Sequence, residues 1–197
     1  MTLPLVLAST SRYRRALVER LGLAVTCVAP DFDEDAARPS LVHLPLSEQA
    51  LRLAEGKAAA VARMYPEALV IGGDQIAALG DTVLHKPGTA ARAEAQLARL
   101  AGTTHQLCTA VVVAHGASGR RVSAVDVHHM AMRPLSAEAI ARYVAHDAPL
   151  DCAGSYRVES LGIALFERLT GDDFTAVVGL PLTRLVALLA EFDVAVP

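Results

Sequence analysis

The sequence predicts an α/β fold with a mixed sheet, because short apolar runs alternate with amphipathic helical stretches along the chain. Two longer stretches, Leu107–His115 and Arg121–Met132, flank the turn Gly116–Gly119 and predict an antiparallel hairpin within that sheet. Aromatic residues make up 4% of the chain and Trp is absent, so we expect a core of Ala, Val and Leu. Such a core favours helices packed closely on a sheet.

The first part of the chain predicts two short strands and one helix. An apolar run over Leu3–Leu7 indicates a buried strand. Apolar residues at helical spacing then predict a helix over Arg12–Leu21, which Gly22 stops. A second strand is expected over Val25–Val28, and the acidic segment Asp31–Asp35 reads as a loop.

A long helix and a buried strand come next. The helix is predicted over Ser47–Tyr65, with Ser47 as its N-cap. The strand is predicted over Ala68–Gly72, and we expect it to end just before Asp74. An alanine-rich helix is then predicted over Thr89–Leu100.

The last third of the chain predicts three further elements. These are a helix over Ser136–Val144, a strand over Ile163–Phe166 and a closing amphipathic helix over Leu182–Phe192. No repeat, low-complexity tract or flexible linker interrupts the pattern. A chain of 197 residues corresponds to one large domain, or to one domain in two lobes.

The composition excludes several classes of protein. The chain carries 18 basic and 21 acidic residues, which argues against a surface that binds nucleic-acid polymers. Its three cysteines show neither metal-ligand nor disulfide spacing, so we expect free thiols. The N-terminal segment is apolar and then basic, the reverse of a secretory signal, and no apolar run approaches the ~18–20 residues that span a bilayer. We therefore expect a cytoplasmic protein that does not associate with membranes.

The first candidate binding site is the segment Ser9–Arg15, where the first strand meets the first helix. Hydroxyl groups, backbone N–H groups and the helix N-terminus create positive potential there, and anions commonly bind at such points. Arg12, Arg14 and Arg15 add charge, and a guanidinium can bind two phosphate oxygens at once. The alternative is a capped helix with solvated arginines.

The second candidate is Asp74, which follows an apolar strand and two glycines. In open α/β sheets, ligands gather outside the carboxyl ends of the strands. A carboxylate at that place could bind a metal or activate a water molecule. The alternative is a turn aspartate without a chemical role.

Two lysines and the acidic loop complete the candidates. Lys57 and Lys86 are the only lysines of the chain, and each could direct a compact charge at a phosphate. The alternative is an ordinary surface lysine in each case, although we do not expect Lys57 to pair with Glu55, since i,i+2 side chains do not face each other. The clustered carboxylates of Asp31–Asp35 would suit Mg²⁺ or Mn²⁺, and a solvated acidic loop is the alternative.

Six segments, in their order and spacing, resemble the Maf family of nucleoside triphosphate pyrophosphatases almost from end to end. They are LASTSRYRRALVERLG, APDFDED, GDQ, HKP, AGSYRVESLG and LFERLTGDDFTAVVGLPL. The resemblance implies a single domain over residues 1–197, in which helices flank a mixed sheet and two lobes enclose a central cleft. This fold is similar to that of the inosine triphosphate pyrophosphatases. The resemblance also implies a homodimer.

The resemblance further implies a hydrolase that cuts between the α- and β-phosphates with the help of a divalent cation, Mg²⁺, Mn²⁺ or Co²⁺. The positions that match the family's catalytic residues are Asp74, Lys57, Lys86 and Glu34, of which Glu34 and Asp74 would hold the metal. The positions that match its phosphate-binding residues are Ser9, Ser11, Arg14 and Arg15. Asp74 would either deprotonate the attacking water directly or hold the metal that acidifies it.

Three positions are similar to those of the subfamily that acts on 7-methyl-GTP, namely Tyr13, Gln75 and Glu159. A 7-methylated guanine carries positive charge and should stack on an electron-rich ring such as Tyr13. Its N1–H and N2–H₂ groups are adjacent donors that the carboxylate of Glu159 can accept together. The alternatives are a dTTP/UTP pyrophosphatase of the same family and a nucleotide-sensing regulator of cell division without turnover.

Overall fold

The computed structural model describes residues 3–196, and these residues form two compact units. The first unit comprises residues 3–75, 109–126 and 173–196. The second comprises residues 76–108 and 127–172. Each unit is therefore assembled from segments that lie far apart in the sequence.

Seven strands form one mixed sheet in the order β2-β1-β3-β5-β6-β7, and β4 pairs with β3 outside this path. Their bounds are β1 Leu5–Leu7, β2 Thr26–Cys27, β3 Leu69–Leu79, β4 Thr82–Leu84, β5 Thr104–His115, β6 Arg121–Met132 and β7 Phe166–Thr170. Strand β1 is parallel to both neighbours, β2 and β3, with Leu7 opposite Cys27 and Ile71. The β3–β4 and β6–β7 pairs are antiparallel. The predicted mixed sheet is thus confirmed.

The helices flank this sheet. Their bounds are α1 Arg12–Glu19, α2 Glu34–Ala37, α3 Leu46–Met64, α4 Ala90–Leu100, α5 Ala137–Asp147, α6 Phe174–Val178 and α7 Leu182–Ala190. Five of them begin with a side-chain cap, since Ser11, Thr89 and Ser136 cap α1, α4 and α5, and Asp33 and Asp173 cap α2 and α6. Among the described residues, no helix is long and apolar enough to cross a membrane.

The prediction that the strand after Ala68 ends at Gly72 is wrong. Strand β3 runs on to Leu79, so Asp74 lies inside a strand and not in a turn. The two glycines before Asp74 are not turn residues, because neither has a positive φ. A Cβ atom at Gly72 would lie 2.6 Å from the carbonyl oxygen of Ala54, so this glycine lets helix α3 pack directly on the strand.

Three other boundaries differ from the predictions. The last strand lies at Phe166–Thr170, and the predicted Ile163–Phe166 is largely a 3₁₀ segment, Leu161–Leu165. Only Phe166 is buried in β7, so this strand carries no apolar run that a sequence pattern could detect. Helix α3 begins at Leu46, with Pro45 and not Ser47 in the N-cap position. The acidic segment is also partly helical, because α2 starts within it.

The core of the first unit lies between the sheet and two helices. Leucine, isoleucine and valine side chains of β1, β3 and β5 pack there with residues of α1 and α7. This cluster includes Leu7, Ile71, Val111, Leu17 and Leu185, all of which are buried. The expected aliphatic core is therefore confirmed, and it holds β1, α1 and β3 in the positions from which the candidate site is built. The three cysteines are free thiols, as expected.

Candidate functional site

A buried ion pair links helix α3 and strand β3, which carry two of the candidate catalytic residues. The Nζ atom of Lys57, on α3, lies 2.6 Å from Oδ1 of Asp74, on β3. The same ammonium lies 2.9 Å from Oε1 of Glu34, at the start of α2. The side chains of Lys57 and Asp74 are only 8% and 5% exposed, whereas Glu34 is 37% exposed. Three predicted catalytic residues are therefore in direct contact within the first unit.

Two glycines make this contact possible. At Gly72 a Cβ atom would lie 2.8 Å from the Cβ of Ala58, so only glycine allows α3 to approach β3 this closely. At Gly56 a Cβ atom would overlap the ring of Phe32, which precedes α2. Phe32 therefore packs on α3, and this contact places Glu34 beside Lys57.

The charges around Glu34 favour the ionised form of its carboxylate. Burial would raise the pKa of Glu34, but the hydrogen bond and charge of Lys57, with further charges from Arg38 and Arg14, hold its pKa below the ordinary value. Nε of Arg14 donates to the carbonyl oxygen of Gly179 at 2.9 Å. Burial lowers the pKa of Arg14, although the charges of Asp74 and Glu34 oppose this. Arg14 and the two carboxylates thus belong to one electrostatic group.

The predicted phosphate-binding serines lie at the N-terminus of α1. The hydroxyl of Ser9 is largely buried and accepts a hydrogen bond from the backbone N–H of Ser11. The hydroxyl of Ser11 caps the helix by accepting from the backbone N–H of Arg14. The capped-helix alternative is therefore correct as a description of Ser11. Such a cap does not exclude phosphate binding, because a helix start still presents N–H groups to an anion.

The side chains of Arg15 and Tyr13 each contact another residue of helix α1. Arg15 is exposed and pairs with Glu19 at 2.8 Å, one helical turn away, and not with the ion-pair cluster. Its role in phosphate binding stays a prediction. Tyr13 is half-buried, and its ring is covered by the guanidinium of Arg12, whose Cζ lies 4.8 Å from the ring centroid. The Tyr13 ring therefore already contacts a cation.

The amide nitrogen of Gln75 forms hydrogen bonds within the protein. Its Nε2 atom donates to Oγ1 of Thr109 at 3.0 Å and to the carbonyl oxygen of Ala176 at 2.8 Å. These bonds connect β3 and β5 to helix α6. Gly179, whose carbonyl oxygen accepts from Arg14, directly follows that helix. Base recognition by Gln75 stays a prediction, and its observed contacts are structural.

Lys86 and Glu159 belong to the second unit. Both are exposed. The ion-pair cluster lies in the first unit, and the predicted roles of Lys86 in catalysis and of Glu159 in base recognition stay predictions.

Asp173 is a residue that the sequence reasoning did not single out. Its buried carboxylate accepts hydrogen bonds from the backbone N–H and hydroxyl groups of Thr175 and Thr183, and so caps both α6 and α7. Burial would raise the pKa of Asp173, but these hydrogen bonds outweigh burial and hold its pKa below the ordinary value. The pattern Asp-x-Thr before a short apolar run was the available signal.

The carboxylates of Glu34 and Asp74 also offer the donor atoms for a divalent cation. Oδ2 of Asp74 is buried and has no hydrogen-bond partner within residues 3–196. Across the same residues, no group of three or more His, Cys, Asp or Glu side chains could hold a metal ion. Two carboxylates fit a hard cation such as Mg²⁺, which commonly takes its remaining ligands from water and substrate phosphates.

Known proteins match this chain over nearly its whole length. A 7-methyl-GTP pyrophosphatase of Alkalilimnicola ehrlichii is 48% identical over 94% of this chain and 92% of its own length. Proteins of the same name from Pseudomonas putida and Chromohalobacter salexigens are 44% and 46% identical, over 99% and 95% of this chain and 100% and 95% of their own lengths. The family model described as Maf-like protein matches residues 4–192. Since that match covers nearly the whole chain and includes every residue of the ion-pair cluster, the chain belongs to the Maf family.

Proposed function

We propose that this chain hydrolyses 7-methyl-GTP to 7-methyl-GMP and pyrophosphate. The observation that carries the proposal is the buried contact of Lys57 with both Asp74 and Glu34, in one electrostatic group with Arg14. Such a group combines a carboxylate that can accept a proton with cations that can stabilise phosphate charge. The relatives named 7-methyl-GTP pyrophosphatase support the choice of substrate.

The N-terminus of α1 is proposed to bind the triphosphate. Ser9 and Ser11 contribute hydroxyl groups, and the first backbone N–H groups of the helix favour an anion. Arg14 contributes a guanidinium that is held in place by the carbonyl oxygen of Gly179. A guanidinium fixed in this way binds phosphate oxygens with less loss of side-chain entropy than a mobile one. Arg15 and Lys86 would add charge from the exposed surface.

Asp74 is proposed to accept the proton of the attacking water at Oδ2, its free buried oxygen. The water oxygen then bonds to the α-phosphorus, and the bond from that phosphorus to the α,β-bridging oxygen breaks. Pyrophosphate leaves with the bridging oxygen and its electron pair. Lys57 holds Oδ1 of Asp74, which keeps the carboxylate oriented during the transfer. A positively charged neighbour also stabilises charge that develops on the phosphate oxygens.

Glu34 would hold a divalent cation, Mg²⁺, Mn²⁺ or Co²⁺, in the proposed enzyme, and Asp74 would share in holding it in the alternative where Asp74 acts as a metal ligand instead of as the base. Such an ion, when bound, neutralises phosphate charge and lowers the pKa of a coordinated water. Glu34 suits this role because it is partly exposed and its pKa lies below the ordinary value, so it is ionised at neutral pH.

Base selection is proposed to depend on Tyr13 and Glu159. The guanidinium of Arg12 lies over the ring of Tyr13, which is the arrangement that a cation adopts on an aromatic ring. This contact supports the proposal that the same ring stacks on a cationic 7-methylguanine. Glu159 has an exposed carboxylate that could accept both guanine donors. A homodimer is also part of the proposal, on the strength of the family resemblance. A cytoplasmic location is proposed as well, because the three cysteines are free thiols.

The test is pyrophosphate release from 7-methyl-GTP, GTP, UTP and dTTP by the purified protein with Mg²⁺, run beside Asp74→Asn. We expect 7-methyl-GTP to give the highest kcat/KM and Asp74→Asn to lose most of the activity. A preference for UTP or dTTP would show that the chain is instead a dTTP/UTP pyrophosphatase of the same family. Tight binding without pyrophosphate from any nucleotide would show a sensor, and an undiminished rate in Asp74→Asn would remove Asp74 from the mechanism.

A further inference from the structure

Helix α5 carries two polar side chains on its buried face. Tyr143 and Asp147 are each only 3% exposed, and they lie four residues apart, on the same side of the helix. The other buried residues of this face are aliphatic. A tyrosine hydroxyl and a carboxylate at such positions require partners, because an unpaired buried polar group destabilises the fold.

Both partners lie in one short loop of the same unit. The hydroxyl of Tyr143 accepts a hydrogen bond from the backbone N–H of Arg157 at 2.9 Å. Oδ1 of Asp147 accepts a hydrogen bond from the hydroxyl of Ser160 at 2.9 Å. The loop of residues 157–160 is therefore attached to α5 at its first residue, Arg157, and at its last, Ser160.

Val158 and Glu159 lie between these two attachment points. Val158 is buried, whereas Glu159 is exposed. The loop is closed by a hydrogen bond from the backbone N–H of Ser160 to the carbonyl oxygen of Arg157 at 3.3 Å. Gly162 packs so closely on the Arg157 backbone that a Cβ atom there would overlap it. The backbone that presents the Glu159 carboxylate is thus held on several sides.

The charge of Asp147 is also stabilised within this unit. Burial would raise its pKa, but hydrogen bonds from His146 and Ser160 and the positive charge of Arg157 hold its pKa below the ordinary value. An ionised carboxylate is a stronger acceptor for the Ser160 hydroxyl than a neutral one.

We propose that Tyr143, Asp147 and Ser160 are positioning residues that orient Glu159 for selecting the base of the nucleotide. The inference rests on the proposed function only in taking Glu159 as the residue that reads the base. A carboxylate that accepts two adjacent donors must lie in the plane of the base, so its direction matters as much as its charge. Loss of either attachment point lets the loop move and weakens that recognition.

The test compares Ser160→Ala and Tyr143→Phe with wild-type protein by steady-state kinetics on 7-methyl-GTP, GTP and UTP. We expect KM for the preferred nucleotide to rise about tenfold and its selectivity over the other nucleotides to fall by a similar factor, since small displacements of a binding group have effects of this size. We expect kcat to change less than about twofold, because the ion-pair cluster is untouched. Ser160→Thr keeps the hydroxyl and should retain the wild-type selectivity.

Two matched controls use exposed residues outside the loop. Ser123→Ala and Tyr65→Phe remove the same hydroxyl groups from exposed positions of the first unit, and neither should change selectivity. A combined variant carrying Glu159→Gln distinguishes positioning from general damage. If Ser160 acts through Glu159, Ser160→Ala should cause little further loss of selectivity in the Glu159→Gln background.

Two results would overturn the inference. One is unchanged KM and selectivity in both Ser160→Ala and Tyr143→Phe. The other is an equal further loss from Ser160→Ala when Glu159 is already replaced. If wild-type protein prefers a nucleotide other than 7-methyl-GTP, the proposed substrate is wrong, but the same selectivity ratios, taken for the nucleotide that it does prefer, still decide the role of the loop.

Discussion

Lys57 and Asp74 are seventeen residues apart in the sequence and form an ion pair of 2.6 Å that is almost fully buried. The pair joins the middle of helix α3 to the middle of strand β3. Buried ion pairs contribute little net stability compared with apolar residues of similar size. A pair placed here, with one carboxylate oxygen left free, is therefore better explained by chemistry than by stability.

Lys57→Met should destabilise the protein and abolish its activity. The variant leaves Asp74 buried without its principal cation, and breaking a buried pair from one side lowers the free energy of unfolding by about 3–5 kcal/mol. Urea unfolding followed by circular dichroism measures the loss. The double variant Lys57→Met/Asp74→Leu removes both charges and should recover most of the stability while remaining inactive. A single variant as stable as wild type would contradict the prediction.

Gly72→Ala should weaken both the fold and the catalytic cluster. The added Cβ would lie 2.6 Å from the carbonyl oxygen of Ala54, which is backbone, so α3 must move and carry Lys57 with it. Overpacking of this kind lowers the free energy of unfolding by about 1–3 kcal/mol. Gly73→Ala is the milder comparison for stability, because its added Cβ would lie 3.2 Å from the Leu180 side chain and 3.4 Å from both the Ala110 carbonyl oxygen and Nε of Arg14. Equal stability losses in the two variants would count against the role assigned to Gly72.

Arg14→Ala and Arg15→Ala should have unequal effects on pyrophosphate release. Arg14 is held by Gly179 and shares the electrostatics of Asp74 and Glu34. Loss of a hydrogen-bonded charge on the substrate should lower kcat/KM about ten- to a hundredfold. Arg15 is exposed and pairs with Glu19, and surface pairs of this kind contribute little. A loss in Arg15→Ala as large as that in Arg14→Ala would show that Arg15 also binds phosphate.

Asp173→Asn should destabilise the protein at neutral pH by about 1–3 kcal/mol, because an amide cannot accept the hydrogen bonds that the second carboxylate oxygen receives. The pKa of Asp173 is lowered from its ordinary value of 3.8, so its charge stabilises the fold above that value. This contribution is lost as the pH falls through the lowered pKa.

The stability difference between wild type and Asp173→Asn should therefore shrink in strong acid. Urea unfolding at pH 7 and at steps down to about pH 2.5 follows the change. Asp81→Asn, at an exposed turn position, is the control and should show no such trend. A difference that stays constant with pH would show that the Asp173 charge has no part in capping α6 and α7.

Local chemistry was enough to predict much of the fold. Ser11, Thr89 and Ser136 stand where the sequence predicts that helices start, and each caps its helix by accepting a hydrogen bond from a backbone N–H three residues ahead. The hairpin around Gly116–Gly119 is likewise encoded by a turn between two apolar stretches. These features depend on residues within a few positions of one another, which is why a single sequence reveals them.

The length of strand β3 and the hydrogen-bond partners of Gln75 could not be predicted from neighbouring residues in the same way. Two glycines before a polar residue usually indicate a turn, yet here they make room for α3 and the strand continues. The amide of Gln75 binds a carbonyl oxygen 101 residues further along the chain. Such partners come together only when the sheet has assembled.

The sequence alone determined which side chains are available: two lysines, a carboxylate after two glycines, and an arginine-rich helix start. Only the tertiary structure decided that Lys57 meets Asp74 and Glu34, whereas Arg15 stays with its neighbour Glu19. The physical reason is that each residue type carries its own ionisable group, whatever the fold of the chain. The partner of that group is set by how closely two backbones can approach, and here that approach depends on the missing side chains of Gly56 and Gly72.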